Sequence, residues 1–463
     1  MLTKTEQFFQ ALRDKRVTFI GMGVSHFDCI KLFASKGIRV TVADKRTAEQ
    51  LGEKQEELLK LGVGFALGEG YLDSLSEADV IFRTPGMNFF SPALSEARRR
   101  GKVVTSEMEV FFDLCPCKLY AVTGSDGKTT TTTLISEFLK AQGKTVHLGG
   151  NIGRALLPIV ETIREEDAAV VELSSFQLIS MRQSPDVAVV TNVAPNHLDV
   201  HKDMEEYINA KKNILLHQNA FSKTVLNLDN EITAGMAGLV RGKLYQFSRR
   251  SIPQDGAYLD EDGVIYMVNG GERTAVMKAA DIRLPGIHNV ENYLAALTAV
   301  YDDVDSEQII RVAREFGGVE HRIEFVRELD GVKYYNDSIA TSPTRVIAGL
   351  NAFDQKLIVI AGGYDKKIPF EPLAPKLIEK CKLLILTGLT AEKIEKAVTA
   401  CEGYDPNELK VLHAASMEEA VRIAREQARE GDIVTLSPAC ASFDKYPNFE
   451  VRGNHYKGLV NAL

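Results

Sequence analysis

The sequence predicts an α/β protein of three domains, each organised around a sheet of largely parallel strands. Apolar, β-branched runs alternate with stretches of helical spacing through most of the 463 residues, which is the pattern of strand-helix-strand units. A glycine-punctuated loop joins one such strand to a helix near residue 124. Short alternating segments with Asp-Gly and Asn-Gly-Gly turns interrupt the pattern between about residues 243 and 283, and they indicate antiparallel strands.

The first predicted domain, residues 1–107, carries an incomplete dinucleotide fingerprint. Strands are expected at VTFIGMG, RVTVADKR, ADVIFRTPGM and GKVVTS, with a charged helix through Lys60 between the second and the third. Gly21 and Gly23 begin a G-x-G-x-x-G pattern, but His26 stands at the third glycine position. Asp44 ends the second strand, where Rossmann units place an acid that binds ribose. The pattern therefore favours a site for some other nucleotide moiety over a dinucleotide site.

The second predicted domain, residues 108–318, contains a shortened phosphate-binding loop. A strand over Leu119 to Thr123 leads into GSDGK, and a helix is expected from Thr129 to Ala141. Backbone N–H groups around Gly124 and Gly127, the helix N-terminus and the Lys128 ammonium would surround a phosphate. The Thr129 hydroxyl would face Mg2+. The spacing is G-x-x-G-K-T, because Val122 occupies the place of the first glycine of a full P-loop.

Polar residues follow two later strands of this domain. Glu172 ends the strand AAVVE, where a carboxylate beside a phosphate loop reaches Mg2+. The strand VAVVTN leads to His197, which is a ligand candidate for the same reason. Asn289 and Asn292 lie three residues apart at a helix start, where they either cap the helix or contact a base.

The third predicted domain, residues 319–463, returns to alternating strands and helices. Its polar segments follow strands at Asp337 to Thr341, at Lys366 and at Ser437 to Phe449, where open α/β sheets bind ligands. The predicted fold class is therefore α/β, with an N-terminal Rossmann-like domain, a central P-loop ATPase-like domain with added antiparallel strands, and a C-terminal Rossmann-like domain.

Composition excludes several classes of function. A net charge of -8 argues against nucleic-acid binding. The six cysteines form no C-x-x-C pair, so we expect reduced thiols, and we interpret Cys115-Pro116-Cys117 as a loop and not a metal site. Charges interrupt the residues after Met1, and no apolar run approaches the ~18 residues of a membrane span. We expect a cytoplasmic protein that does not interact with membranes.

Ten strings in order resemble the Mur ligases of bacterial peptidoglycan synthesis, and most closely their D-glutamate-adding members. They are GSDGKTT, GGNIG, ELSSFQL, NVAPNHLD, YINAK, HNVEN, EHR, NDSIAT, GGYDK and SPACASFDKYPNFEVRGNHYK. The resemblance implies a monomeric ligase that uses ATP and two Mg2+ ions to join UDP-N-acetylmuramoyl-L-alanine and D-glutamate through an acyl phosphate. It also implies roles in cell shape and division, and domain closure about hinges near residues 107 and 318.

The resemblance also implies site residues at the matching positions. For the UDP substrate these are Val24, Ser25, Asp44, Arg46, Gly86, Asn151 and His197. For ATP they are Gly124, Ser125, Asp126, Gly127, Lys128, Thr129, Thr130, Asn289, Asn292, Arg322 and Asp337. One Mg2+ would use Thr129, Ser174 and Glu172, and the other His197 and a carbamylated Lys211. D-Glutamate would contact Thr341, Lys366, Ser442, Phe443 and Phe449, with His321 orienting it or accepting its amine proton.

One position departs from the family string NDSKAT. This chain has NDSIAT, so Ile339 stands where a lysine is common. We hypothesise that Arg345 or Lys367, which are close in sequence to the predicted site, supplies the missing positive charge.

Other classes fit fewer of these features. An NAD-dependent oxidoreductase would use Gly21, Gly23 and Asp44 but leaves the phosphate loop unexplained. A P-loop switch or motor would be expected to carry the full motif. A folyl-polyglutamate synthetase lacks the first block, and a diaminopimelate-adding Mur ligase would carry a D-N-P-R string that is absent here. Another Mur-type or polyglutamate ligase remains the alternative.

Overall fold

The structure is a computed structural model that describes residues 2–196 and 200–463, with Val24 described by its backbone alone. The chain divides into two compact units. The first comprises Met1–Ala279 and Glu291–Val312, and the second comprises Ala280–Val290 and Ala313–Leu463. No helix within the described ranges is long and apolar enough to cross a membrane.

A five-stranded parallel sheet forms the N-terminal part of the first unit. Its strand order is β3-β2-β1-β4-β5. The order reverses between β1 and β4, which is where open α/β sheets leave a crevice for ligands. The strands are β1 (Arg16–Ile20), β2 (Arg39–Asp44), β3 (Gly64–Leu67), β4 (Val80–Phe82) and β5 (Val103–Thr105). The helices are α1 (Lys4–Leu12), α2 (Val24–Ser35), α3 (Ala48–Leu51), α4 (Glu53–Leu59), α5 (Pro92–Arg99) and α6 (Glu107–Leu114).

A six-stranded parallel sheet follows in the same unit, in the order β11-β10-β9-β6-β8-β7. Strands β6, β8, β9 and β10 are almost wholly buried, because helices cover both faces of the sheet. The strands are β6 (Lys118–Thr123), β7 (Val146–Gly150), β8 (Ala168–Glu172), β9 (Val187–Val190), β10 (Lys223–Asn227) and β11 (Lys243–Phe247). The helices are α7 (Lys128–Ala141), α8 (Ser175–Leu178), α9 (Met204–Leu216), α10 (Glu231–Ala234), α11 (Ile287–Val300) and α12 (Ser306–Glu315).

Three antiparallel strands complete this unit. They are β12 (Gly256–Leu259), β13 (Val264–Asn269) and β14 (Glu272–Lys278). Short 3₁₀ helices occupy Tyr71–Ser76, Leu157–Thr162, Ala237–Leu239 and Ala279–Asp281.

The second unit contains a six-stranded sheet in the order β15-β16-β20-β17-β18-β19. Strand β15 runs antiparallel to β16, and the other neighbours are parallel. The strands are β15 (Glu324–Leu329), β16 (Val332–Asn336), β17 (Leu357–Ala361), β18 (Cys381–Leu386), β19 (Lys410–His413) and β20 (Ile433–Leu436). The helices are α13 (Pro343–Leu350), α14 (Ala374–Lys380), α15 (Ala391–Thr399), α16 (Met417–Gln427) and α17 (Phe449–Ala462).

The α/β architecture with parallel sheets is confirmed, and three local expectations need correction. Strand β3 was missed, because four residues between glycines give too short an alternation. The charged helix expected up to Lys60 is two helices, since Gly52 adopts a positive φ of 54° between them. The prediction that Lys243 begins an antiparallel segment was wrong: β11 is a parallel edge strand beside β10. An edge strand that is half-exposed has the same alternating polarity as an antiparallel one.

An aromatic cluster holds the first sheet to its helices. The Phe19 ring of β1 stacks on Phe82 of β4 with centroids 4.5 Å apart, and it meets Phe33 of α2 edge-on at 5.2 Å. Phe19 is completely buried. The interior of this domain therefore depends on a ring that contacts two strands and a helix at once.

We expect Phe19→Ala to destabilise the first unit by about 3–5 kcal/mol, because it removes these contacts and leaves a cavity. The measurement is the urea unfolding midpoint by circular dichroism. Phe221→Ala is the matched control, since the Phe221 side chain is 95% exposed and its loss is expected to change stability by less than ~0.5 kcal/mol. Equal effects of the two substitutions would contradict the assignment of Phe19 to the core.

Candidate functional site

The loop between β6 and α7 lies at the switch point of the central sheet, where β9 follows on the other side of β6. Gly124 has a φ of 153°, and a Cβ there would stand 1.9 Å from Thr191 Oγ1. Gly127 has a φ of 75°, and a Cβ there would stand 2.3 Å from Asn292 Oδ1. Both glycines are therefore required by space as well as by backbone conformation.

Hydrogen bonds from the end of β9 fix this loop. Ser125 N donates to Asn192 O at 2.8 Å, and Asp126 N donates to Asn192 Oδ1 at 3.0 Å. The Thr191 hydroxyl donates to Asp126 O at 2.6 Å. Ser125 Oγ donates to Ala194 O, so its side chain faces the β9 loop. The loop is held in shape by its neighbour before any ligand binds.

Lys128 is the first residue of α7 and folds back over the loop. Its Nζ donates to Ser125 O at 2.8 Å. Thr129 is buried in the first turn of the helix, and Thr130 is half-buried beside it. The loop thus combines a helix N-terminus with a local ammonium group, which is the arrangement that binds phosphate.

Glu172, at the end of β8, has a buried carboxylate whose two oxygens differ in their hydrogen bonding. Its Oε1 accepts from Asn151 Nδ2 at 2.8 Å, whereas Oε2 has no hydrogen-bond partner within residues 2–196 and 200–463. A buried carboxylate oxygen without a donor is an atom that a cation would satisfy. Ser174, two residues on, caps α8 through Gln177 and keeps a free lone pair on its hydroxyl. Glu172 Oε2 therefore fits a cation such as Mg2+, and Thr129 and Ser174, which follow the neighbouring strands β6 and β8, carry hydroxyl oxygens of the kind that this ion prefers.

Lys211 of α9 is buried beside the phosphate loop. Its Nζ donates to Gly124 O at 2.7 Å and lies 4.5 Å from the centroid of the Tyr207 ring. Burial, together with the Lys128 charge, lowers the pKa of the Lys211 amine to about 7, and Asp126 and Glu172 offset only part of this. A large fraction of this amine is therefore neutral near pH 7.

Asp44 and Arg46 of the first predicted domain meet at the end of β2. Asp44 accepts from Met22 N at 2.8 Å and from Arg46 Nη2 at 2.7 Å. Burial would raise the pKa of this carboxyl, but the bonds from Arg46 and Met22 hold it at about 2. His26 Nδ1 lies 2.9 Å from Gly21 O, so the ring occupies the place of the third fingerprint glycine. Ser25 lies in the first turn of α2, as does the Val24 backbone, and Gly86 lies in the turn after β4.

In the second unit, Asp337 is buried at the end of β16. Its Oδ2 accepts from Ser437 Oγ at 3.0 Å. Burial raises the pKa of this carboxyl to about 7, although Ser437, the Ile323 N–H, Arg322 and Arg345 oppose the shift. The carboxyl is poised to change charge near neutral pH.

Lys366 and Thr341, which were predicted to act together, are in contact. Lys366 Nζ donates to Thr341 O and Oγ1, both at 3.2 Å. Burial and the nearby Arg345 charge lower the pKa of Lys366. Ser442 is buried, and the exposed Phe443 ring packs edge-on against Tyr364.

His321 forms a second cluster in the same unit. Asn336 Nδ2 donates to His321 Nδ1 at 2.9 Å, and the Phe449 ring meets the imidazole edge-on with centroids 5.8 Å apart. Burial lowers the pKa of His321. His321 and Ile323 have φ angles of 64° and 43°, which is strained for residues with these side chains.

The remaining residues predicted to bind ATP or metal are divided between the two units. Asn292 packs on Gly127 in the first unit, as described above. Asn289 belongs to the second unit, where its Nδ2 donates to Pro285 O at 2.6 Å, four residues back along the chain. Arg322 acts on Asp337 through its charge. His197 lies outside the described residues.

The sequence analysis did not identify three residues that fix loops near the predicted site residues. Thr191 and Asn192 hold the phosphate loop, and their position just after β9, beside β6 in a parallel sheet, was the available signal. Arg452 of α17 is buried and donates to Ser338 Oγ and O, Cys440 O and Ala441 O. A helical arginine usually faces solvent, so the sequence carried no signal for it.

The depressed pKa of Lys211 has a consequence for stability. Between its folded value of about 7 and its ordinary value of 10.5, the amine is protonated in the unfolded chain but neutral in the folded protein. The unfolded state then binds more protons, so raising the pH across this window stabilises the fold.

We expect Lys211→Met to remove this contribution. The free energy of unfolding of the wild type should rise relative to that of Lys211→Met between pH about 7 and pH about 10. The measurement is urea unfolding in buffer free of carbon dioxide. Lys212→Met, which changes the half-buried neighbour, serves as the control and should keep the wild-type pH dependence. If Lys211→Met kept the pH dependence of the wild type, the lowered pKa of the Lys211 amine would be refuted.

Comparisons with known proteins match this chain to Mur ligases along its length. Family models match the Mur ligase MurD-like N-terminal domain at residues 15–106, the Mur ligase middle domain at residues 122–300 and the Mur ligase glutamate ligase domain at residues 321–440. A UDP-N-acetylmuramoylalanine--D-glutamate ligase from Acetivibrio thermocellus is 52% identical over 466 residues and covers 100% of both chains. The enzyme of that name from Clostridium kluyveri is 50% identical over 458 residues and covers 99% of each.

Solved structures agree in fold. A UDP-N-acetylmuramate-alanine ligase from Thermotoga maritima has a TM-score of 0.57 at 17% identity, over 97% of this chain and 99% of its own. A pseudomurein peptide ligase type C from Methanothermus fervidus has a TM-score of 0.53 at 20% identity, over 97% and 100%. Three family models in succession and half-identical relatives over the full length lead to one conclusion: this chain belongs to the Mur ligase family.

Proposed function

We propose that this protein uses ATP to join D-glutamate to UDP-N-acetylmuramoyl-L-alanine, a cytoplasmic step of peptidoglycan precursor synthesis on which cell shape and division depend. The observation that carries the proposal is the phosphate loop, with Lys128 at the N-terminus of α7 and, at the end of the neighbouring strand, Glu172 Oε2, which has no partner among the residues that the structure describes. The substrate pair is supported by the names of relatives that match over the full length.

The chemistry requires concentrated positive charge. A carboxylate is a poor acceptor for an amine until phosphorylation gives it a leaving group, so the L-alanyl carboxylate first attacks the γ-phosphate of ATP. The amine of D-glutamate then attacks the acyl phosphate and phosphate leaves. Two anions must approach each other in the first step. Lys128 and the loop N–H groups would bind the phosphates and offset their charge.

Two Mg2+ sites are part of the proposal. Thr129, Ser174 and Glu172 would hold one ion, and Lys211 and His197 the other. Bound Mg2+ would neutralise phosphate charge during transfer. The support is the buried Glu172 Oε2, which has no donor within the described ranges.

The proposal also includes carbamylation of Lys211. A neutral amine can add carbon dioxide, whereas an ammonium cannot, and burial lowers the pKa of this amine to about 7. The product would carry a negative charge in place of a positive one, next to the backbone of Gly124. Lys211 would then contribute oxygen ligands of the kind that Mg2+ prefers.

The sugar nucleotide is assigned to the first sheet and the end of β7. Asp44, which Arg46 and Met22 N hold in its ionised form, would accept from a hydroxyl of the uridine part. Ser25 lies in α2, which follows β1, and Gly86 lies in the turn after β4, and the strand order reverses between these two strands. Asn151, Val24 and His197 complete the proposed set.

D-Glutamate is assigned to the second unit. Lys366 and Thr341 would bind a carboxylate, and Ser442, Phe443 and Phe449 would contact the rest of the amino acid. Burial lowers the pKa of His321, which favours a neutral ring that can accept the amine proton. Because Nδ1 accepts from Asn336, the neutral ring carries its hydrogen on Nε2, which would orient D-glutamate by donating to one of its carboxylate oxygens. Nδ1 would accept the amine proton only in exchange for its bond from Asn336.

Formation of ADP should require both UDP-N-acetylmuramoyl-L-alanine and D-glutamate. Lys128→Ala should lower that rate by about 10²–10³-fold or more, because it removes the loop's cation. A coupled ADP assay with each substrate omitted in turn measures both effects. Turnover with a different acceptor amino acid, or with a folate, would favour the alternative amide ligases.

Lys140→Ala is the control for this experiment. Lys140 lies at the other end of α7, is exposed and pairs with Glu137, so its removal should leave turnover near the wild-type rate. Near-normal ADP formation in Lys128→Ala would overturn the role of the loop.

The charge absent at Ile339 is assigned to Arg345. Arg345 Nη1 reaches Ile339 O at 3.4 Å, and the Arg345 charge acts on both Lys366 and Asp337. Lys367 instead acts on Asp365. Arg345 therefore contributes to the electrostatics of the proposed D-glutamate contacts, whereas no such effect involves Lys367.

We expect Arg345→Ala to raise the KM for D-glutamate about 10-fold or more, the size of one lost charge-assisted contact, with the KM for ATP unchanged. Lys367→Ala should leave both values near the wild type. Initial-rate assays over a range of D-glutamate concentrations measure the difference. If the KM for D-glutamate were unchanged in both variants, the hypothesis that either residue replaces the missing lysine would be wrong.

A further inference from the structure

Cys115 and Cys117 flank Pro116 in the loop between α6 and β6. Their sulfur atoms are 3.6 Å apart, and neither is oxidised. The sulfurs of Cys29, Cys401 and Cys440 instead lie against oxygen atoms. The Cys-Pro-Cys segment thus presents two thiols in direct contact, and the proposed ligase reaction does not use them.

A hydrogen bond joins the two thiols. When Cys117 donates its hydrogen to the sulfur of Cys115, a thiolate on Cys115 is stabilised, and this hydrogen bond lowers the pKa of Cys115. The pKa of Cys117 is raised well above its ordinary value, because the same bond and burial oppose a second negative charge. Cys115 is therefore the sulfur that ionises first, and thiolates are the reactive form of cysteine.

Exposure assigns different roles to the two sulfurs. Cys115 is half-buried, whereas Cys117 is only 6% exposed. A reagent would meet Cys115 first and find a second thiol already in contact. This pairing of an accessible, ionisable thiol with an adjacent resolving thiol is typical of redox-active cysteines.

A metal site fits the pair less well. Soft cations such as Zn2+ take three or four cysteine, histidine or carboxylate ligands. Across residues 2–196 and 200–463, no group of three such side chains lies close enough to hold a metal ion. The two thiols lack the further ligands, which leaves oxidation as the chemistry that the pair can perform alone.

We propose that Cys115 and Cys117 form a reversible dithiol-disulfide site that hydroperoxides oxidise. The Cys115 thiolate attacks one peroxide oxygen, the O–O bond breaks, and Cys115 becomes a sulfenic acid as the other oxygen leaves as water or alcohol. Cys117 then attacks the Cys115 sulfur, the S–O bond breaks, and water leaves as the S–S bond forms. The peroxide accepts the two electrons, and the two thiol protons end in the oxygen products. A small thiol reverses the reaction by disulfide exchange.

The location gives this modification a structural context. Cys117 immediately precedes Lys118, the first residue of β6, and the other end of β6 enters the phosphate loop at Gly124. Leu119, the second residue of the strand, is fixed by its N–H bond to Asp186 Oδ2 at 2.8 Å. The disulfide would form at the base of the strand that carries the loop.

The sequence provides a direct assay. Lys102 and Lys118 flank a segment with no other lysine or arginine, so trypsin releases residues 103–118 with both cysteines in one peptide. The reduced full-length protein is titrated with hydrogen peroxide, blocked with iodoacetamide and digested without reductant. We expect this peptide to lose the mass of two hydrogen atoms and to resist alkylation, at a lower peroxide concentration than modifies Cys401. Dithiothreitol should restore both properties.

Two variants separate the proposal from general thiol oxidation. Cys117→Ser keeps Cys115 but removes the resolving thiol, so the peptide should stop at a sulfenic acid that dimedone traps. Cys401→Ser removes the other half-exposed cysteine and should leave the disulfide unchanged. Oxidation of Cys401 before residues 103–118, a link to a second chain, or the same two-hydrogen loss in Cys117→Ser would overturn the proposal. Because peptide mass is the readout, these outcomes are independent of ligase turnover.

Discussion

The close approach of two loops at the carboxyl edge of the central sheet is the constraint on which the first unit depends. Gly124 passes so near Thr191 that a Cβ would stand 1.9 Å from its hydroxyl oxygen. This approach follows from placing β6 beside β9 in a parallel sheet, with both faces covered by helices. The strands themselves are buried and apolar, so the polar side chains lie in the loops that follow β6, β8 and β9.

Burial then determines the chemistry of the charged groups at these edges. Lys211 and Glu172 lie beside the phosphate loop. The pKa of Lys211 is lowered to about 7, and one oxygen of Glu172 has no partner within residues 2–196 and 200–463. In the second unit, the pKa of Asp337 is raised to about 7 by the same cause. Each of these groups would be more stable in water, and such groups are typical of sites that bind or transform a ligand. Strained φ angles at His321 and Ile323 fit the same interpretation.

Local motifs predicted much of this arrangement. The strand, loop and helix around GSDGKTT were predicted to within a residue or two, because glycine, lysine and the change of hydrophobic period are local signals. Contacts between segments were harder to foresee. Asn192 and Arg452 hold loops through hydrogen bonds to residues distant in sequence. An asparagine after a strand or an arginine in a helix does not by itself predict which distant residue it will bind. Strand β11 was misjudged because the polarity of an edge strand does not reveal the direction of its neighbour.

By itself, the sequence determined the α/β class, the phosphate loop and the Mur ligase resemblance, since each rests on short-range order of residue types. The tertiary structure alone decided which groups are buried together and what that burial does to them. The depressed pKa of Lys211, the Glu172 oxygen that has no partner in the described part of the chain and the contact of Arg345 with Ile339 O all depend on distances across the fold. Free energies of burial and of charge interaction are set by surroundings in space, and a linear pattern does not contain them.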